Sequence, residues 1–288
     1  MKSRSMNILI GLGTAALMLG SATVQASPAE DLKAFQAYFA KKFPDTQFAD
    51  FNNGVYSINE SFRQQWESIE EFPPYETFVE KGEEEWNKPF ANGKGYASCF
   101  GEDVAAVRGF YPHWDVKREQ VVTLEGEINR CRTENGEKAL KWKVGTLAHL
   151  SAYISYEGRG QKINVVIPDD PKAMAAYEDG KRFFYAKRGQ LNLACADCHV
   201  YQSGQHIRAD LLSPAIGQTS GFPVFRAKWS GKSKSGDGMG TLHRRYGGCN
   251  KQVRAKPFKP QSEQYRNLEF FHTYMGNGLE WNGASYRK

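Results

Sequence analysis

The sequence predicts a mainly α-helical chain built from two related units in tandem. Three observations lead there: a weak internal repeat, amphipathic segments of helical period in each copy, and a cysteine-bearing loop in each copy. ETFVEKGEEEW (76–86) precedes Cys99, and AAYEDGKRFFY (175–185) precedes Cys195 and Cys198. Both segments place acidic residues before a glycine, Gly82 or Gly180, and an aromatic residue after it. LAHLSAYISYEGRG (147–160) then aligns with LEFFHTYMGNGLEW (268–281) at an offset of 121, matching Leu147 with Leu268, Leu150 with Phe271 and Tyr153 with Tyr274. That spacing puts the matched residues on one helix face, and glycine ends both helices. Each unit reads as a leading helix, a cysteine loop and a closing helix.

The elements follow in chain order. Lys2 and Arg4, the apolar run from Ile8 to Leu19 and the small-residue site Val24-Gln25-Ala26 form a secretory signal peptide, with cleavage expected after Ala26. The run is too short and too diluted by glycine and threonine to anchor the chain in a bilayer. No later stretch approaches a spanning length, so the expected mature chain is exported and periplasmic, with no membrane span. It divides into a first unit at 27–165 and a second at 166–288. Between them QKINVVIPDDP (161–171) reads as an extended connection ending in a proline turn. SGKSKSGDGMG (230–240) reads as a surface loop.

Charge divides the same way. Residues 27–180 carry 18 Lys and Arg against 26 Asp and Glu, whereas 181–288 carry 18 against 6. A basic second half suits anions or an acidic partner. Nucleic acid is excluded as that partner by export and by the lack of a basic repeat or aromatic platform.

CADCH (195–199) carries the chemistry. Two thiols spaced by two residues can add to the two vinyl groups of one porphyrin edge, and the adjacent histidine can then ligate the iron. A zinc ribbon needs a second C-x-x-C, which is absent. A thioredoxin-like pair needs a preceding strand, whereas YEDGKRFFYAKRGQLNLA reads as helix and loop. Haem c on Cys195 and Cys198 with His199 as ligand is therefore expected, in a cytochrome c-like unit. The second iron ligand has five candidates: Met239, His243, Cys249, His272 and Met275. Cysteine counting leans towards Cys249, the odd member of five, because Cys99 and Cys131 form an even pair best read as a disulfide.

C-x-x-C-H followed by RRYGGC (244–249) in an exported, two-unit helical chain resembles the SoxA family, the cytochrome subunits of thiosulfate-oxidising SoxAX complexes. The resemblance covers essentially the whole mature chain, and the Arg-x-x-x-Cys element is its most specific part. It implies two cytochrome c-like domains in tandem. Cys249 would be the distal haem ligand and sulfur carrier, and Arg245 would face the substrate, although Arg244 and Arg245 together also suit a plain basic turn. Thiosulfate would be joined to a cysteine of a SoxYZ-like carrier, with electrons passing to a small SoxX-like cytochrome. Many members carry a second haem in the N-terminal domain. GYASCFGED (95–103) has one cysteine and no following histidine, so the first unit is expected to lack haem. Cys99 and Cys131 would then close the vacated site. The alternative is a plain electron carrier with Met239 or His243 on the iron.

Overall fold

The computed structural model describes residues 26–287, so the signal peptide before Ala26 lies outside the described residues. Two pairs of crossed helices make the frame. Glu76–Trp86 crosses Thr146–Glu157, and Pro171–Tyr185 crosses Glu263–Tyr274. Among the described residues no helix is long and apolar enough to cross a membrane.

Each crossing closes on a glycine. A Cβ on Gly82 would overlap the carbonyl oxygen of His149 and stand 2.8 Å from the Cβ of Tyr153. A Cβ on Gly180 would overlap the carbonyl of Asn267 and stand 2.8 Å from the Cβ of Phe271. Backbone therefore packs on backbone, which no larger residue allows. These contacts correct the sequence alignment of the closing helices. His149 is equivalent to Asn267 and Tyr153 to Phe271, an offset of 118 instead of 121. A slip of three residues is close to one helical turn, so an apolar pattern survives it and cannot expose it.

The cores do not divide at residue 165. Helix Pro28–Lys42, capped by Ser27, turns Phe35 and Phe39 into the core of the second unit beside Tyr177 and Phe184. Asp31 on the same helix accepts from Tyr177 Oη at 2.8 Å and Lys181 Nζ at 2.5 Å. Conversely Phe225, Met239 and Ala284 complete the core of the first. The connection at 161–170 is extended, as expected: Ile163 N donates to Leu279 O at 2.7 Å, and Asp170 caps the helix that begins at Pro171. The 230–240 segment is exposed or half-buried as far as Asp237 but ends in a buried strand. Met239–Gly240 pairs antiparallel with Val224–Phe225, whose other edge takes Ser285–Tyr286 in parallel.

Cys99 and Cys131 are disulfide-bonded, with Cα atoms 6.0 Å apart. Aromatic rings fill the space around them. Trp86 stacks on Tyr96 at 5.5 Å, Phe90 meets Tyr96 edge-on at 4.8 Å, and Phe100 lies 5.7 Å from Trp86. Burial pushes the Tyr96 hydroxyl up to about 12, and it accepts from Arg132 Nη1 at 2.7 Å.

Gly82→Ala and Gly180→Ala are each expected to lower stability by about 2–3 kcal/mol, because overpacking must separate backbones. Unchanged denaturant midpoints would show that the crossings can relax. Removing the disulfide, which spans 32 residues of sequence, should cost about 3–4 kcal/mol through loop entropy. Unfolding curves of Cys99→Ala/Cys131→Ala against the parent chain measure that cost.

Candidate functional site

The second leading helix stops at Tyr185, and a short loop bridged between Arg188 and Leu193 delivers Cys195. Asp197 Oδ2 then accepts from Ala194 N at 2.7 Å and starts one wide helical turn, Asp197–Tyr201, bearing Cys198 and His199. The turn faces a deep cavity. Opposite it stands helix Leu242–Gln252, which contributes Arg245, Tyr246 and Cys249 to the cavity lining. Arg245 and Cys249 are four residues apart and so share one helix face. Phe184, Phe222, Val224 and Leu268 supply apolar wall.

His199 is oriented by its surroundings. Its Nδ1 lies 3.0 Å from Ser213 O and 3.0 Å from the Gln218 amide, while its backbone oxygen accepts from Ala215 N at 2.8 Å. With Nδ1–H donated to the carbonyl, the other ring nitrogen is left to serve as a ligand. Cys249 is electrostatically coupled to this imidazole. Burial pushes its thiol up, but Arg245 foremost, then His199 and Arg226, outweigh burial and bring it down to about 7. Burial pushes Cys195 up to about 12 and also raises Cys198, consistent with neutral thiols before any attachment chemistry.

The other ligand candidates are occupied or turned away. Met239 is buried in the first unit's core, and Met275 is buried in the second. His243 Nδ1 accepts from Gln261 N at 3.0 Å, and its Nε2 lies 3.1 Å from Glu269. His272 borders the cavity, yet its Nδ1 takes the Tyr246 hydroxyl at 3.1 Å and its Nε2 donates to Ala215 O at 3.2 Å. Of the five, Cys249 combines a cavity position with a sulfur anion favoured by its neighbours. The donor set fits a c-type haem: two thiols, an oriented imidazole and a second soft donor around an apolar cavity.

Arg244 and Arg245 part company. Arg244 lies over the Trp229 ring at 4.0 Å and donates to Met239 O at 2.7 Å, away from the cavity. Sequence reasoning missed Ser213, Gln218, Tyr246 and Arg226. None of the four left a local sequence signal, because each matters through where the fold places it.

Comparison with known proteins is consistent with this geometry. The SoxA/TsdA cytochrome c domain family matches residues 81–163, the unit that lacks C-x-x-C-H. The L-cysteine S-thiosulfotransferase subunit SoxA of Allochromatium vinosum is 54% identical, over 96% of this chain and 96% of that one. Its counterpart in Chlorobaculum tepidum is 53% identical, over 96% and 98%. In the crystal structure of SoxXA from P. pantotrophus, one chain is 34% identical and superposes with a TM-score of 0.66, covering 75% of this chain and 79% of that one.

His272 generates a pH prediction. Burial, reinforced by His199, lowers its pKa to about 3, so it is neutral when folded and must charge on unfolding in acid. Its contribution is complete above the unfolded value of about 6.5 and is lost as pH falls below it, by about 2 kcal/mol between pH 6.5 and 5. Denaturant midpoints of His272→Gln should fall less over that window than those of the parent; parallel losses would assign the acid sensitivity elsewhere.

Proposed function

This chain belongs to the SoxA family, and from that membership we propose that it is the cytochrome subunit of an L-cysteine S-thiosulfotransferase acting in thiosulfate oxidation. The single observation that best supports the reading is the placement of Arg245 and Cys249 on one helix face opposite Cys198 and His199. One haem c is held through Cys195 and Cys198, with His199 and Cys249 as iron ligands. When bound, the haem supplies a redox centre at the cavity. The tandem units are the haemless 27–165 and the haem-bearing 166–288, with helix Pro28–Lys42 packed across onto the second.

The residues then divide the work. Arg245 offers a planar, permanently charged donor set to the oxygens of thiosulfate. Cys249 presents a sulfur to the sulfane end and carries it towards the carrier. Overall coupling forms one S–S bond between the sulfane sulfur and a carrier cysteine. The thiol proton is released, and two electrons leave to a SoxX-like cytochrome, the partner suggested by the SoxXA relative. The carrier is a SoxYZ-like protein, and the compartment is the periplasm, with Ser27 as the mature N-terminus.

Cys249→Ala should keep one covalent haem per chain, shift the visible spectrum and abolish coupling of thiosulfate. Arg245→Ala should keep the spectrum and lower kcat/KM by on the order of a hundredfold, as for loss of a preorganised donor. Haem quantification, spectra and turnover with the carrier check both. An unchanged Cys249→Ala spectrum would move the second ligand elsewhere, and the plain electron carrier would replace this reading.

A further inference from the structure

Four arginines line the cavity: Arg188, Arg226, Arg245 and Arg287. Arg188 and Arg287 each donate to backbone carbonyls. Arg188 donates to Phe183 O at 2.6 Å and lies over the Phe183 ring at 3.4 Å. Arg287 donates to Asn52 O at 3.2 Å and Tyr286 O at 3.1 Å, with the Tyr56 ring 5.3 Å away. Arg226 and Arg245 line the cavity together with Cys249.

Arg226 is built into place. It follows strand Val224–Phe225, its amide donates to Gly238 O at 3.0 Å, and only 8% of the residue is exposed. Its guanidinium lies 5.6 Å from the Trp229 ring, whose position is fixed in turn by Arg244 at 4.0 Å. Sequence places Arg226 and Arg245 on separate elements, a strand end and a helix. The fold brings them to one cavity.

We propose that Arg226 is a second anion-binding residue of the thiosulfate site, acting with Arg245 beside Cys249 so that two guanidiniums meet a dianion. The proposal rests on the thiosulfate reading above and deepens it. Two cations held near each other in a largely buried cavity oppose one another. Burial first, and then Arg245, bring Arg226 down to about 10, while Asp210 and the Cys249 sulfur favour its charge. A small dianion neutralises both guanidiniums at once, whereas a monoanion leaves one uncompensated. Charge number therefore becomes a selection rule. Sulfate, of like charge and size, should compete with thiosulfate far better than a monoanion such as nitrate.

The test uses the haem-loaded full chain in complex with its partner cytochrome. Thiosulfate binding is measured by calorimetry and turnover is measured with the carrier. Arg226→Gln should weaken binding and raise KM by on the order of tenfold to a hundredfold, the range for loss of a charge-assisted hydrogen bond. Haem content and spectrum should stay unchanged. Arg226→Lys should recover part of the loss, and sulfate inhibition should weaken in parallel with KM. Binding and KM within twofold of the parent in Arg226→Gln, with the parent active, would overturn the role of Arg226 alone. A loss of turnover with unchanged binding and a shifted spectrum would also overturn it, by moving Arg226 to the iron environment. A parent complex that neither binds nor turns over thiosulfate would overturn the proposal together with the reading beneath it.

Discussion

The contact on which the site depends is backbone against backbone, where Gly180 meets Asn267. It draws the second leading helix onto its closing helix, so Tyr177 and Phe184 reach Phe271 at ring distances of 5.5 Å. Phe184 also lines the cavity, and the chain leaving this helix carries the cysteines. The same closing helix supplies His272, which borders the cavity. A looser crossing would move both walls of the site. Close packing of this kind transmits a small displacement instead of absorbing it.

From that crossing a chain of polar contacts joins the two faces of the cavity. Tyr246, on the helix of Cys249, donates to His272; His272 donates to Ala215 O; Ala215 N donates to the backbone oxygen of His199. Each group is buried or partly buried, so a broken link leaves an unsatisfied neighbour at a cost of about 1–3 kcal/mol. The helix bearing the sulfur and the turn bearing the imidazole are thereby set relative to each other by protein contacts. Such preorganisation holds a donor set at a spacing that the ligand does not have to impose.

Much of this was legible in the sequence, and for unequal physical reasons. Cys195, Cys198 and His199 fall within five consecutive residues, so no fold is needed to find them. Cys249 emerged from arithmetic on thiols, and the Cys99–Cys131 pairing from the same count. The repeat was visible, but its register was not, because apolar periodicity is nearly blind to a slip of three residues. The glycines that fix the register, Gly82 and Gly180, stood in the aligned segments. Their role depends on a carbonyl more than sixty residues away, which only the folded chain supplies. Arg226, Ser213 and Gln218 belong to the same class: each matters through tertiary placement and carries no local pattern.

The first unit, which has no C-x-x-C-H motif, buttresses the loop from which Arg226 departs. His149, on its closing helix, lies 3.0 Å from Asp237, and Phe78, on its leading helix, stacks on Phe225 and meets His149 at a tilt. Phe225 directly precedes Arg226, and Asp237 directly precedes Gly238, which accepts the Arg226 amide proton. A second seam runs deeper. Glu125 is raised by burial and then by Glu269, and it accepts from Ser151 Oγ at 2.9 Å. Glu269 on the second closing helix faces His243 on the helix of Cys249. Ionisable groups of both units therefore meet in one dry layer, where neither can be repacked without disturbing the other. These seams lie on the helices of the first unit and not at its disulfide. A unit without a C-x-x-C-H motif of its own thereby holds in place the strand that leads to Arg226 and the helix that carries Cys249.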